Sequence, residues 1–162
     1  ASDVYKRQLV DSVKTGIPSA MALFALVPLA LVMEGSGQVL ELALGIASVA
    51  NGPIYAFLAP LVGGIGAFMT SSNLSSNILF GSLQQSTADA LGIDAAVTLG
   101  GQTAGAALSN SIAPGNVLLG IGAVGLTGKT GDVIRRTIIY AGTAVILAGV
   151  VGLLALLLFF GG

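Results

Sequence analysis

The sequence predicts an all-α, polytopic membrane protein whose transmembrane helices include one re-entrant helical hairpin and one broken helix. Three observations predict it. Only 8% of the 162 residues are charged and 54% are hydrophobic, whereas ordinary soluble domains carry about 25% charge. Three long segments have no charged residue at all: Leu42–Ala88, Ala95–Gly128 and Thr137–Gly162. A bilayer core about 30 Å thick takes roughly 20 apolar residues as helix, so the last segment is one span and the others exceed one. Finally, the first segment is interrupted by Thr70-Ser71-Ser72-Asn73-Leu74-Ser75-Ser76-Asn77. Backbone that leaves the helix at membrane depth survives only when buried in protein or lining a wet cavity. A neutral polar site is the expected reason for such an interruption.

Ile17–Met33 reads as the first transmembrane helix, with Pro18 near its start and Pro28 as a kink. Glu34-Gly35-Ser36-Gly37 is a turn, and Val39–Val49, carrying Glu41, reads as a short interfacial helix. Asn51-Gly52-Pro53 starts a new element, helical over Pro53–Met69 and rich in proline and glycine. The polar octet follows, then a short helix over Ile78–Leu91, and Gly92-Ile93-Asp94 turns the chain. Ala95–Leu108 is helical until Ser109-Asn110-Ser111-Ile112-Ala113-Pro114-Gly115-Asn116 breaks it. Val117–Leu126 resumes a helix, Thr127–Asp132 is a loop, and Val133–Phe160 is the final long helix.

Residues 1–8 are set apart. Asp3-Val4-Tyr5-Lys6-Arg7-Gln8 looks like a translated sequencing-library adapter, and the alternative is a short basic juxtamembrane segment or a disordered end. Residues 9–162 then form a single transmembrane domain, expected to be a fragment of a longer gene. Without residues 1–8, four basic and six acidic residues remain. Cys and His are absent, which removes disulfides, thiol chemistry and most transition-metal sites. No cofactor is expected, no metal, and no nucleic acid.

Lys14 precedes the first helix, and Lys129, Arg135 and Arg136 flank the last loop. By the positive-inside rule both ends are cytoplasmic, with Glu34 and Glu41 outside. Two arrangements meet that parity: residues 53–91 as two full spans around a cytoplasmic octet, or as a re-entrant hairpin with its tip at mid-membrane. The hairpin is preferred because the arms are short and the tip lacks Lys and Arg.

Each break is followed by a helix, and a helix start carries free N–H groups and about half a positive charge. Ser76 or Asn77 would cap the helix near Ile78, and Asn116 the one near Val117. Two such ends facing one point would hold a carboxylate without a cation. Residues seven apart share a helical face, which pairs Gln102 with Ser109 and Thr103 with Asn110. That stripe either lines a substrate path or bonds neighbouring helices. Gln84 and Gln85 are expected to bond within the bundle, and Asp89 and Asp94 to face water. Paired carboxylates and nucleophile–base pairs are lacking, so an enzyme is not expected.

The run Thr70–Gln84 (TSSNLSSNILFGSLQ), with Ser111-Ile112-Ala113-Pro114 and Val124–Arg135 (VGLTGKTGDVIR), resembles the bacterial L-lactate permease family over most of residues 50–140. The resemblance implies a secondary transporter that imports lactate, often glycolate, with a proton. More distantly it implies the ion-transporter superfamily, built from inverted repeats with re-entrant hairpins. It nominates Ser71, Ser72, Asn73, Ser75, Ser76 and Asn77 at the tip, and Pro114, Gly115 and Asn116 at the break. Gln102, Thr103 and Asn110 join them from the polar stripe, and Ser111 from the break. Relatives can carry an acidic residue where Asn73 stands, so the coupling group is expected elsewhere. Implied partners are a small carboxylate with a proton, the bilayer, the missing N-terminal part, and a second copy where the protein assembles. Two other readings are carried. One is a small helix-packing subunit held by Gly101-Gln102-Thr103-Ala104-Gly105. The other is a Na⁺-coupled organic anion carrier.

Overall fold

The computed structural model describes residues 2–126 and 128–159. The expected helix end at Phe160 and the expected loop start at Thr127 lie outside them. Seven helices follow one another, with no strand among the described residues: α1 (Ser2–Gly35), α2 (Gln38–Val49), α3 (Gly52–Thr70), α4 (Asn73–Leu91), α5 (Ala95–Asn110), α6 (Pro114–Ala123) and α7 (Thr130–Phe159). Helices α3 and α7 are each long and apolar enough to cross a membrane, and Ala20–Gly35 with Gln38–Val49 makes a third span if the bent pair counts as one. This is the all-α membrane architecture that the charge-free segments require.

Helix α1 runs unbroken through Pro28, and residues 2–8 continue it at its start. The sharp bend of this region is instead a 67° turn between Gly35 and Gln38. A proline inside a helix loses one hydrogen bond, whereas Ser36-Gly37 ends the ladder altogether. Asn51 starts α3 as read from sequence: its side chain accepts the Ile54 N–H at 3.0 Å. Asp94 is exposed and starts α5 by accepting the Ala96 N–H at 2.7 Å.

Helices α3 and α4 form an antiparallel hairpin, and its arms are not short. Each has 19 residues, about 28 Å at 1.5 Å per residue, which is close to the thickness of the bilayer core. The arms therefore have the length of full spans, contrary to the short arms on which a mid-membrane tip was expected. Helix α7 runs antiparallel to α3, with Leu156 beside Gly52, Gly152 beside Ala56 and Gly149 beside Phe57. Phe68, near the tip, shares a cavity wall with Ile112 and Ile138. The hairpin tip is thus level with the start of α7's uncharged stretch.

The densest packing joins α3 and α5, which run parallel on either side of a backbone-to-backbone contact. A Cβ on Gly63 would collide with the Gln102 carbonyl, and one on Gly105 with the Pro60 carbonyl. Only glycine permits that approach. Ala56, Val97 and Leu156, backed by Ile93, form the apolar core at the opposite end from the tip. Most other large apolar side chains face outward. Only 17% of the α7 span window is buried, as expected of a helix that meets lipid or further protein.

Candidate functional site at the hairpin tip and the α5–α6 break

Both interruptions are tighter than the sequence suggests. Between α3 and α4 only Ser71 and Ser72 leave the helix, and between α5 and α6 only Ser111, Ile112 and Ala113. Asn73, Ser75, Ser76 and Asn77 lie inside α4, and Pro114, Gly115 and Asn116 inside α6. The reason is local. The Ser72 hydroxyl accepts the Ser75 N–H at 3.1 Å, so the cap comes one turn before Ser76 or Asn77. The hydroxyls that follow are satisfied in place: Ser76 Oγ donates to the Gly63 carbonyl at 2.8 Å. Asn116 does not cap a helix near Val117, because α6 already starts at Pro114, preceded by Ala113, which has no side-chain cap bond.

Ser71 is the pivot. It has φ 54°, the one non-glycine residue in the left-handed region among the described residues. That conformation costs an L-residue roughly 1–2 kcal/mol, offset here by what it allows. Ser71 Oγ accepts the Gly115 N–H at 3.0 Å, and Ser71 O accepts from Asn116 Nδ2 at 3.2 Å. Asn116 Nδ2 also reaches Asn110 O at 2.9 Å and Asn110 Oδ1 at 2.8 Å. One amide therefore ties the end of α5, the start of α6 and the hairpin tip together. A side chain at Gly115 would place its Cβ 2.9 Å from Ser71 Oγ, closer than carbon and oxygen tolerate.

The starts of α4 and α6 thus converge on the Ser71-Ser72 step, and no charged side chain takes part. Two positive helix ends at one point favour an anion such as a carboxylate, with the Gly115 and Ser75 N–H groups already held by Ser71 Oγ and Ser72 Oγ. Asn77 completes the tip. Its Nδ2 donates to Asn73 Oδ1 at 3.3 Å, while its own Oδ1 is buried and accepts no hydrogen bond.

The polar stripe on α5 splits. Gln102 and Ser109 are buried against α3, whereas Thr103 is exposed on the other side and Asn110 half-buried at the break. Ser111 is exposed, its hydroxyl donating to Leu108 O at 2.8 Å. Gln102 belongs to the interior of the bundle. Its Nε2 donates to Ser76 Oγ at 3.1 Å and Ser76 O at 3.3 Å, and its Oε1 accepts from Gln84 Nε2 at 2.9 Å. Gln84 Nε2 also reaches Ala59 O at 3.2 Å. Gln84 bonds within the bundle as expected; Gln85 instead pairs with Asp89 at 3.1 Å on the exposed face. Gln84 stands eight residues after Ser76, which at helical spacing marks a shared polar face. That signal identifies the partner of Gln102.

Gln102→Leu is expected to take one acceptor from Gln84 Nε2, which keeps Ala59 O, and the amide donor from Ser76, whose hydroxyl keeps Gly63 O, at about 1–3 kcal/mol in all. Gln84→Leu/Gln102→Leu should cost less than the sum of the two single changes, because both remove the same Gln84–Gln102 bond. Thermal unfolding of the four proteins in one detergent checks this; strict additivity would show the amides to be independent.

A family model for L-lactate permease matches residues 2–159. The L-lactate permease of Bacillus subtilis (strain 168) is 33% identical over 118 residues, 73% of this chain and 21% of that protein. Glycolate permease GlcA of Escherichia coli (strain K12) is 33% identical over 128 residues, 79% of this chain and 22% of that protein. The L-lactate permease of Salmonella typhi is 35% identical over 109 residues, 67% of this chain and 19% of that protein. The chain spans about a fifth of the length of these curated relatives. No solved structure matches it.

Proposed function

This chain belongs to the L-lactate permease family, and from that premise we propose that it is part of a secondary active transporter for lactate or a related 2-hydroxymonocarboxylate, coupled to protons. In this reading residues 9–162 are one multi-pass domain of the bacterial plasma membrane, the C-terminal part of the transporter, and residues 1–8 are adapter-derived. The remaining substrate contacts and the coupling group come from the part of the protein outside this chain.

The observation that carries the reading is the junction at Ser71. Two helix starts meet there, and their partial positive charge favours a carboxylate. Asn77 Oδ1 is a buried acceptor without a donor of its own, and a 2-hydroxy acid brings a hydroxyl that can donate to it. Tip and break would thus read the two groups that distinguish lactate from a plain short-chain acid.

The direct test is uptake of labelled lactate by the full-length gene product in a permease-deficient host. Uptake should follow an imposed pH gradient and ignore a sodium gradient; the reverse result assigns Na⁺ coupling instead. Asn77→Leu is expected to lower the preference for lactate over propionate by about tenfold, the worth of one hydrogen bond of roughly 1.4 kcal/mol. An unchanged preference removes Asn77 from substrate recognition.

A further inference from the structure

We propose that the start of α7 is a headgroup site for an anionic phospholipid, held by Lys129, Arg135 and Arg136. Three observations lead there. A cavity of about 1010 Å³ opens at this end of the molecule, and Lys129, Arg135 and Arg136 line it together with Tyr140 and one carboxylate, Asp132. All three cations are exposed, and no carboxylate pairs with them among the described residues. They also crowd near one end of α7, Lys129 just before it and Arg135 and Arg136 in its second turn. A helix start carries partial positive charge, and cations there are unfavourable. Of the residues in the first turn only Asp132 is acidic. Three cations against the one carboxylate of Asp132 leave two positive charges at this cavity, which an anion relieves.

The apolar wall selects the kind of anion. Leu126, Val133 and Ile139 line the same cavity. Arg136 and Tyr140 are four residues apart on α7, and Arg135 and Ile139 likewise, so each cation has an apolar neighbour one turn on along the same face. Ile139 is 70% exposed and Tyr140 77%, and the exposed apolar surface continues through Ile146, Leu147, Val151 and Leu154. A soluble phosphate would use the cations and leave this surface bare. A phospholipid uses both: the phosphate at the arginines, the glycerol beside Tyr140, and an acyl chain along α7. Basic clusters at the ends of spans meet acidic headgroups in this way.

Native mass spectrometry of the full chain in detergent, offered equal phosphatidylglycerol and phosphatidylcholine, tests the proposal. Phosphatidylglycerol should be retained preferentially. Arg135→Gln/Arg136→Gln should weaken its retention about 30-fold, which corresponds to about 1 kcal/mol for each cation. Lys14→Gln, at the other basic end, should leave retention unchanged. If the double variant loses helicity by circular dichroism, Lys129→Gln in the loop is read in its place, with an expected loss of about fivefold. Equal retention of both lipids, retention unaffected by the variant read, or displacement of phosphatidylglycerol by inorganic phosphate would each overturn the proposal.

Discussion

In the full-length transporter proposed above, Asn116→Leu is expected to cut lactate uptake at least ~10-fold without unfolding the bundle. The variant removes the donors that Ser71 O, Asn110 O and Asn110 Oδ1 now share. Each orphaned acceptor that stays buried costs about 1–3 kcal/mol. The site is half-exposed, so water recovers part of that and the fold survives. What does not survive is the geometry. Without the amide, the Ser71–Gly115 bond is the one hydrogen bond left between the tip and α6 among the described residues. A loss of about 1.4 kcal/mol in substrate interaction already means tenfold. Initial uptake rates, normalised to the amount of protein in the membrane, give the result. Unchanged rates would show that the junction is a structural splice and not the substrate site.

Gly105→Ala is expected to be among the most damaging single changes available to the chain, although it adds one methyl group. That methyl would coincide with the Pro60 carbonyl oxygen, and backbone cannot turn aside as a side chain can. Helices α3 and α5 would have to separate, and the Gln102 and Ser76 bonds across them would lengthen together. Overpacking a rigid core costs typically 1–3 kcal/mol and occasionally more; coupled to the loss of those buried bonds, about 3 kcal/mol or failure to accumulate is expected. Gly100→Ala, five residues earlier on the same helix, meets nothing within 4 Å. It should be neutral or stabilising by up to about 1 kcal/mol, because alanine is the better helix former. Melting temperatures of the two variants should therefore move apart. Equal effects would mean that α3 and α5 do not touch through their backbones.

The class of the protein was legible because charge is excluded from lipid whatever the tertiary structure. Helix starts at Asn51 and Asp94 were legible for a similar reason: each is an isolated capping residue before an apolar run. The octet was not, because it offers several competing caps. Hydroxyls and amides inside α4 read as loop until the partner appears that satisfies them, and for Ser76 that partner is the Gly63 carbonyl, thirteen residues away. Sequence spacing put Gln102 and Thr103 on adjacent stripes, but which stripe turns inward depends on where α3 lies. The pairing of Ser71 with Gly115 across 44 residues left no local trace. Neither residue is unusual alone, and only the left-handed backbone at Ser71 brings them together.

The close seam between α3 and α5 bears on how such a carrier could operate. Two helices whose carbonyls and glycines interlock, with glutamine and serine bonds bridging to α4, have no low-cost way to slide past one another. These three must travel as a single plank. Any swing that exposes the junction first to one side and then to the other has to hinge outside that plank, and the three residues Ser111, Ile112 and Ala113 are the nearest joint.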